Sequence, residues 1–161
     1  KILGTPLTLI STSIAQVYFK KATVLLKENT RELLRLTKKI VLTNVLIMLF
    51  FLVVINTIGM FLLELFFENQ WQNLRMYTFV LSILILARTT FNPISSLIVV
   101  LNKNLESLLF NSYLFAINLI AITAGYYYEN IMITILILAI FGGLGYLFLL
   151  NYFLNNLKNN V

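Results

Sequence analysis

Apolar blocks of membrane-spanning length follow one another along this chain, and no other feature limits its fold so strongly. Five helical segments can be drawn: roughly Ile2 to Lys27, Thr30 to Phe67, Gln72 to Leu101, Leu105 to Tyr127 and Ile131 to Leu157. Each holds a stretch of about twenty apolar residues, enough to cross a hydrocarbon core of about 30 Å. A soluble core has no need of blocks that long. The sequence therefore predicts an all-α fold. It is a polytopic membrane helix bundle of five transmembrane helices, a single bundle over residues 1–161 with the lipid bilayer as its surroundings. The composition agrees, with 60% hydrophobic and 11% charged residues, against about 45–50% and about 25% in soluble domains.

The few charges sit where they set topology. Seven of the twelve basic residues lie between Lys20 and Lys39: Lys20, Lys21, Lys27, Arg31, Arg35, Lys38 and Lys39. Basic residues in short loops mark the cytoplasmic side. Alternation then puts Lys103 and Lys158 on the same side, and Glu68, Arg75 and Glu129 on the other. The C-terminus is expected in the cytosol. Charge gathered in this way is a topology signal and argues against nucleic acid as a partner. Asn29 is positioned to cap the second segment, with Glu32 reaching back to complete a box. Leu26, Leu33, Leu36 and Ile40 share a face there. That start reads either as an amphipathic segment at the interface or as a solvated charged face. Trp71, Tyr77 and Tyr126 to Tyr128 fall where aromatic belts are expected. The chain opens at Lys1 on an apolar segment without a signal-peptide pattern, and reads as a piece of a longer protein.

One stretch breaks the apolar rule. Ala87-Arg88-Thr89-Thr90-Phe91-Asn92-Pro93-Ile94-Ser95-Ser96 lies inside the run from Met76 to Leu101. A charge at the centre of a bilayer costs about 2.5–3.5 kcal/mol on insertion scales. Pro93 removes a backbone donor and leaves the Thr89 carbonyl without its usual partner, which predicts a bend or local opening over Thr89–Pro93. Both are tolerable where a helix lines a polar cavity. Arg88 and Asn92 share a helical face, as do Thr5, Thr8, Thr12 and Gln16 of the first segment. Asn111 and Asn118 make a weaker third face. Arg88, Gln16, Asn92 and Thr12 are the candidate substrate-binding residues. The bland alternative is that such groups only tie helices together by hydrogen bonds, the reading favoured for Thr8, Asn44, Asn56 and Ser95. Arg88 resists it, because no membrane carboxylate lies nearby: Glu64 is the only candidate acid in a helix and sits nearer the outer end of the second segment. A guanidinium fork fits phosphate or carboxylate. A lipid-linked pyrophosphate suits it, and so does a carboxylate from outside this chain.

The chain has no cysteine and no histidine, so disulfides, thiol chemistry, imidazole bases and the usual zinc ligands are excluded from it. No paired carboxylates appear, and the reading is of a protein that is not an enzyme, with no metal and no cofactor. Gly142-Gly143-Leu144-Gly145 reads as close helix packing or a bend. No strand precedes it and no lysine follows, as a phosphate loop requires.

Three stretches resemble a known family. Leu3 to Ala22 reads LGTPLTLISTSIAQVYFKKA, Phe67 to Tyr77 reads FENQWQNLRMY, and Leu86 to Lys103 reads LARTTFNPISSLIVVLNK. In order and spacing they resemble the polysaccharide-biosynthesis, O-antigen type oligosaccharide flippases of the multidrug/oligosaccharidyl-lipid/polysaccharide exporter superfamily. Glu68 and Gln72-Asn73 stand where that family often has Gly and Ala-Gly. The resemblance implies two six-helix bundles around a cationic cavity, working by alternating access. This chain would be the C-terminal bundle, and the remaining N-terminal helices of the same transporter would be its partner. It further implies a bacterial cytoplasmic membrane location and a polyprenyl-pyrophosphate-linked oligosaccharide as substrate, in lipopolysaccharide or other polysaccharide biosynthesis. The alternatives are a multidrug or other lipid exporter of the same superfamily and, further off, a membrane-embedded glycosyltransferase or polymerase.

Overall fold

The computed structural model describes residues 5–67 and 73–159. Among these the chain is helical almost throughout, with no strand. The five predicted segments appear as five rods. The first is α1, Thr5–Glu28. The second joins α2, Thr30–Val54, through a π turn at Ile55–Gly59 to α3, Met60–Phe67. The third runs from α4, Leu74–Phe91, through a 3-10 turn at Asn92–Ile94 into the short α5, Leu97–Val100. The fourth is α6, Asn104–Tyr127. The fifth joins α7, Ile131–Ile137, through a π turn at Leu138–Gly142 to α8, Gly143–Asn159.

Among the described residues, four rods are long and apolar enough to cross a membrane: Thr30–Leu62, Leu74–Ile94, Asn104–Tyr127 and Ile131–Asn159. The chain is a multi-pass membrane protein. The first rod is helical as expected but is not among the four. Its described residues begin at Thr5 and carry Thr8, Ser11, Thr12, Ser13, Gln16, Lys20, Lys21 and Lys27, while Ile2 and Leu3, which open the predicted apolar stretch, lie outside the described residues. The second rod is long. Its span Thr30–Leu62, 33 residues, rises about 50 Å, well beyond the hydrocarbon thickness, so its charged first turns can stand outside the apolar layer.

The turns follow from their residues. Asn29 is extended, and its Oδ1 accepts the Glu32 N–H at 3.1 Å, which starts α2. The reciprocal half of the expected box is not formed, because the Asn29 N–H already donates to the Leu25 carbonyl at 2.9 Å. Asn102 closes the third rod with φ 55. Lys103 N–H reaches back to Ile98 O at 2.8 Å and Asn102 N–H to Val99 O at 3.1 Å, the paired bonds of a Schellman end. The fourth rod ends the same way. Glu129 has φ 50, and Asn130 N–H donates to Gly125 O at 3.0 Å. Asn130 then caps α7 by accepting the Met132 N–H at 2.9 Å. Tyr126, Tyr127 and Tyr128 are exposed around this turn. Trp71 and the rest of the 68–72 connection lie outside the described residues.

Successive rods alternate in direction, so the 28–29 turn, the 101–103 turn and Asn159 share one end, the basic end. The fit of the fifth rod there is direct: Tyr152 donates to Glu106 at 3.1 Å, and Glu106 pairs with Lys103 at 2.8 Å. This pairing holds the Lys103 ammonium pKa above its ordinary range. The main core lies toward the same end. It is built from Tyr18 and Ala22 of α1, Leu33 of α2, Phe91, Ile94 and Leu97 of the third rod, and Leu149, Phe153 and Leu157 of α8. Leu26, Leu36 and Ile40 pack against it. The start of α2 therefore packs inward through the buried Leu33, while the half-buried Leu36 and Ile40 also border the groove between α1 and α2. Tyr18 and Thr37, both buried, join α1 to α2 at 2.7 Å. Since Thr37 Oγ1 donates to Leu33 O, the Tyr18 hydroxyl is the donor. With lipid as the solvent, such packing and hydrogen bonds do the work that hydrophobic burial does in water.

Small residues set the remaining contacts. A Cβ on Gly145 would lie 2.6 Å from the Tyr113 ring, and one on Gly125 would collide with Thr134. The glycine cluster therefore serves close packing, as the sequence predicts, and it adjoins the π turn of the fifth rod.

Candidate functional site

The third rod opens where Pro93 requires it to. Asn92 N–H still donates to Arg88 O, but Pro93 has no N–H for Thr89 O. The chain tightens into the 3-10 turn Asn92–Ile94, with Ser95 N–H on Asn92 O at 3.2 Å and the Ser95 hydroxyl on the same carbonyl at 2.8 Å. Thr89, Thr90, Phe91, Pro93 and Ile94 are all buried. An orphaned carbonyl among them would have no water to turn to. Asn44 of α2 supplies the donor: its Nδ2 meets Thr89 O at 2.6 Å, and Asn44 has no exposed surface. One side-chain amide thus replaces the backbone amide that proline removed. Two polar atoms beside the break, Asn44 Oδ1 and Ser96 Oγ, are buried without a hydrogen-bond partner.

Arg88 precedes the break by one turn and lies near the middle of the rod, about 21 Å from Leu74 at 1.5 Å per residue. It is exposed. Among the described residues its guanidinium forms no hydrogen bond and no ion pair. Phe91, three residues on, packs on Tyr146 of α8, and Tyr146 on Phe110, with ring centroids 6.3 and 5.1 Å apart. Asn92 is half-buried. Thr12 and Gln16 are exposed on α1, and the Thr12 hydroxyl turns back to Leu9 O at 3.0 Å. Among the described residues no hydrogen bond joins Arg88, Asn92, Thr12 and Gln16. They occupy open faces of this chain, with α1 packed against the 3-10 turn and α5. The side chains of Thr5, Thr8 and Glu64 lie outside those described.

The other polar residues separate by partner. Asn56 donates to Ser82 Oγ at 2.8 Å and ties α2's rod to α4. Asn44 and Asn56 are helix-joining groups, as the bland reading had it. Ser95 serves its own turn. Asn111 and Asn118 are exposed and donate to Ser107 O and Leu114 O of their own helix. They form no third wall. The site residue that sequence reasoning placed among the bland ones is Asn44. The signal for it was present in principle, since Pro93 announces an orphan carbonyl and an asparagine in a neighbouring apolar run is a natural donor.

Among the described residues no group of three His, Cys, Asp or Glu is placed to hold a metal ion. Comparison with known protein families, with curated proteins and with solved structures finds no match.

Proposed function

We propose that this chain is part of a flippase of the oligosaccharide-exporter type. It moves a polyprenyl-pyrophosphate-linked oligosaccharide across a bacterial cytoplasmic membrane by alternating access, with the basic end and the C-terminus in the cytosol. The observation that carries this reading is Arg88. It is a guanidinium in an apolar span, on an open face, without an acidic partner among the described residues and one turn from a proline break. A charge in that setting calls for an anion or for a polar path, and the planar fork matches a pyrophosphate. Asn92, Gln16 and Thr12 are assigned to the same path. The helices that enclose it come from the remainder of the transporter.

The test is transport by the complete protein at measured membrane abundance. Arg88→Lys keeps partial transport, Arg88→Ala loses most of it and Arg88→Glu abolishes it, all with normal amounts of protein in the membrane. Full transport by Arg88→Ala would reject the substrate role. Disappearance of the Ala and Glu variants from the membrane would make Arg88 a structural group instead.

A further inference from the structure

A second site lies in the groove between α1 and α2, whose lining does not include Arg88. Its volume is about 560 Å3, inside the range of about 300–1,000 Å3 typical of ligand sites. Lys21 and Lys39 stand at its basic end and Val17 and Ile40 line its walls, with Ser13 and Asn44 deeper. Lys21 and Ser13 are eight residues apart on α1, so the groove runs about 12 Å along the helix from a cationic mouth into an apolar interior. Both lysines are exposed, and among the described residues neither has an ion-pair partner. The buried Asn44 Oδ1, without a hydrogen bond in the chain, lies at the inner end.

We infer that this groove holds one anionic phospholipid of the leaflet at the basic end. Its phosphate sits between the Lys21 and Lys39 ammonium groups, and one acyl chain follows Val17 and Ile40 inward. Charge complementarity selects this occupant. Lys20 to Lys39 carries seven basic and two acidic residues, a net +5, and among the described residues none of the seven is ion-paired. Lysines at this depth reach the headgroup layer with their stems on apolar surface, where acidic lipids concentrate on basic segments. A second copy of the chain would bring the same excess of positive charge to the groove. The site is independent of the transport reading, because it concerns a resident lipid and not the cargo.

Native mass spectrometry of the complete protein, released from micelles containing equal phosphatidylglycerol and phosphatidylethanolamine, tests this. One phosphatidylglycerol is expected to be retained over phosphatidylethanolamine by at least about fivefold. Lys21→Gln/Lys39→Gln abolishes the preference. Lys20→Gln/Lys38→Gln removes the same charge from exposed positions outside the groove and leaves it. No preference in the parent protein overturns the inference, and so does equal loss in both double variants, which would mean diffuse attraction only. Displacement of phosphatidylglycerol by added polyprenyl phosphate would assign the groove to cargo, and a dimer dissolved by Lys21→Gln/Lys39→Gln would assign it to a second copy. Either result also overturns it. Transport is not read in this experiment, so its failure and that of the flippase reading are separable.

Discussion

The third and fifth rods are both interrupted, and in opposite ways. The third tightens into a 3-10 turn because Pro93 withholds a donor. The fifth widens into a π turn at Leu138–Gly142 without any proline. Each borrows a donor from a neighbouring rod. Asn44 serves Thr89 O at 2.6 Å in the buried core, and Tyr113 donates its hydroxyl to Phe141 O at 2.9 Å on an exposed face. The difference lies in what happens if the donor is lost. A widened turn still holds its neighbouring carbonyls in hydrogen bonds of its own helix. The Thr89 carbonyl has lost its helical donor permanently and is sealed from water. The third rod therefore depends on Asn44 in a way that the fifth does not depend on Tyr113, and this dependence holds the break beside Arg88 in place.

Substitutions that remove each donor break the comparison in order of size. Asn44→Leu keeps the branched heavy-atom shape and strands the carbonyl, so unfolding in mixed micelles should lose about 2–3 kcal/mol. Gly145→Ala should cost about 1–3 kcal/mol by overpacking. The new methyl takes the space of the Tyr113 ring and pushes its hydroxyl from Phe141. Tyr113→Phe should cost about 0.5–1.5 kcal/mol, the worth of one ordinary hydrogen bond. It should cost less in the Gly145→Ala background, where that bond is already displaced. A Tyr113→Phe loss as large as that of Asn44→Leu would remove the distinction between the two rods.

Much of this architecture is written locally and can be read from the chain. Block length gives the rods, Asn29 gives the start of α2, and Pro93 gives the position of the break. What was hidden depends on neighbours. The first segment begins at Ile2, and its opening residues lie outside the described ones, so the described part, Thr5–Glu28, does not stand among the four. Leu26, Leu33, Leu36 and Ile40 mark an apolar face, but periodicity cannot say whether lipid or α8 covers it. The π turns have no fixed local signature: Gly59 and Gly142 end them, but glycine alone predicts only packing or a bend. Arg88 announces itself by type and depth. Its open face depends on how the other rods dock, which the third segment does not encode.

The dependence of the break on one borrowed amide can be measured directly by a double-mutant cycle between Asn44→Leu and Pro93→Ala, read as unfolding free energy in mixed micelles. Pro93→Ala returns a backbone N–H to Thr89 O, so Asn44 becomes dispensable there. The predicted result is that Asn44→Leu costs about 2–3 kcal/mol in the parent and less than about 1 kcal/mol in the Pro93→Ala background. Losses that add to within about 0.5 kcal/mol would contradict the account, because Asn44 would then stabilise the bundle by something other than the carbonyl that Pro93 leaves open.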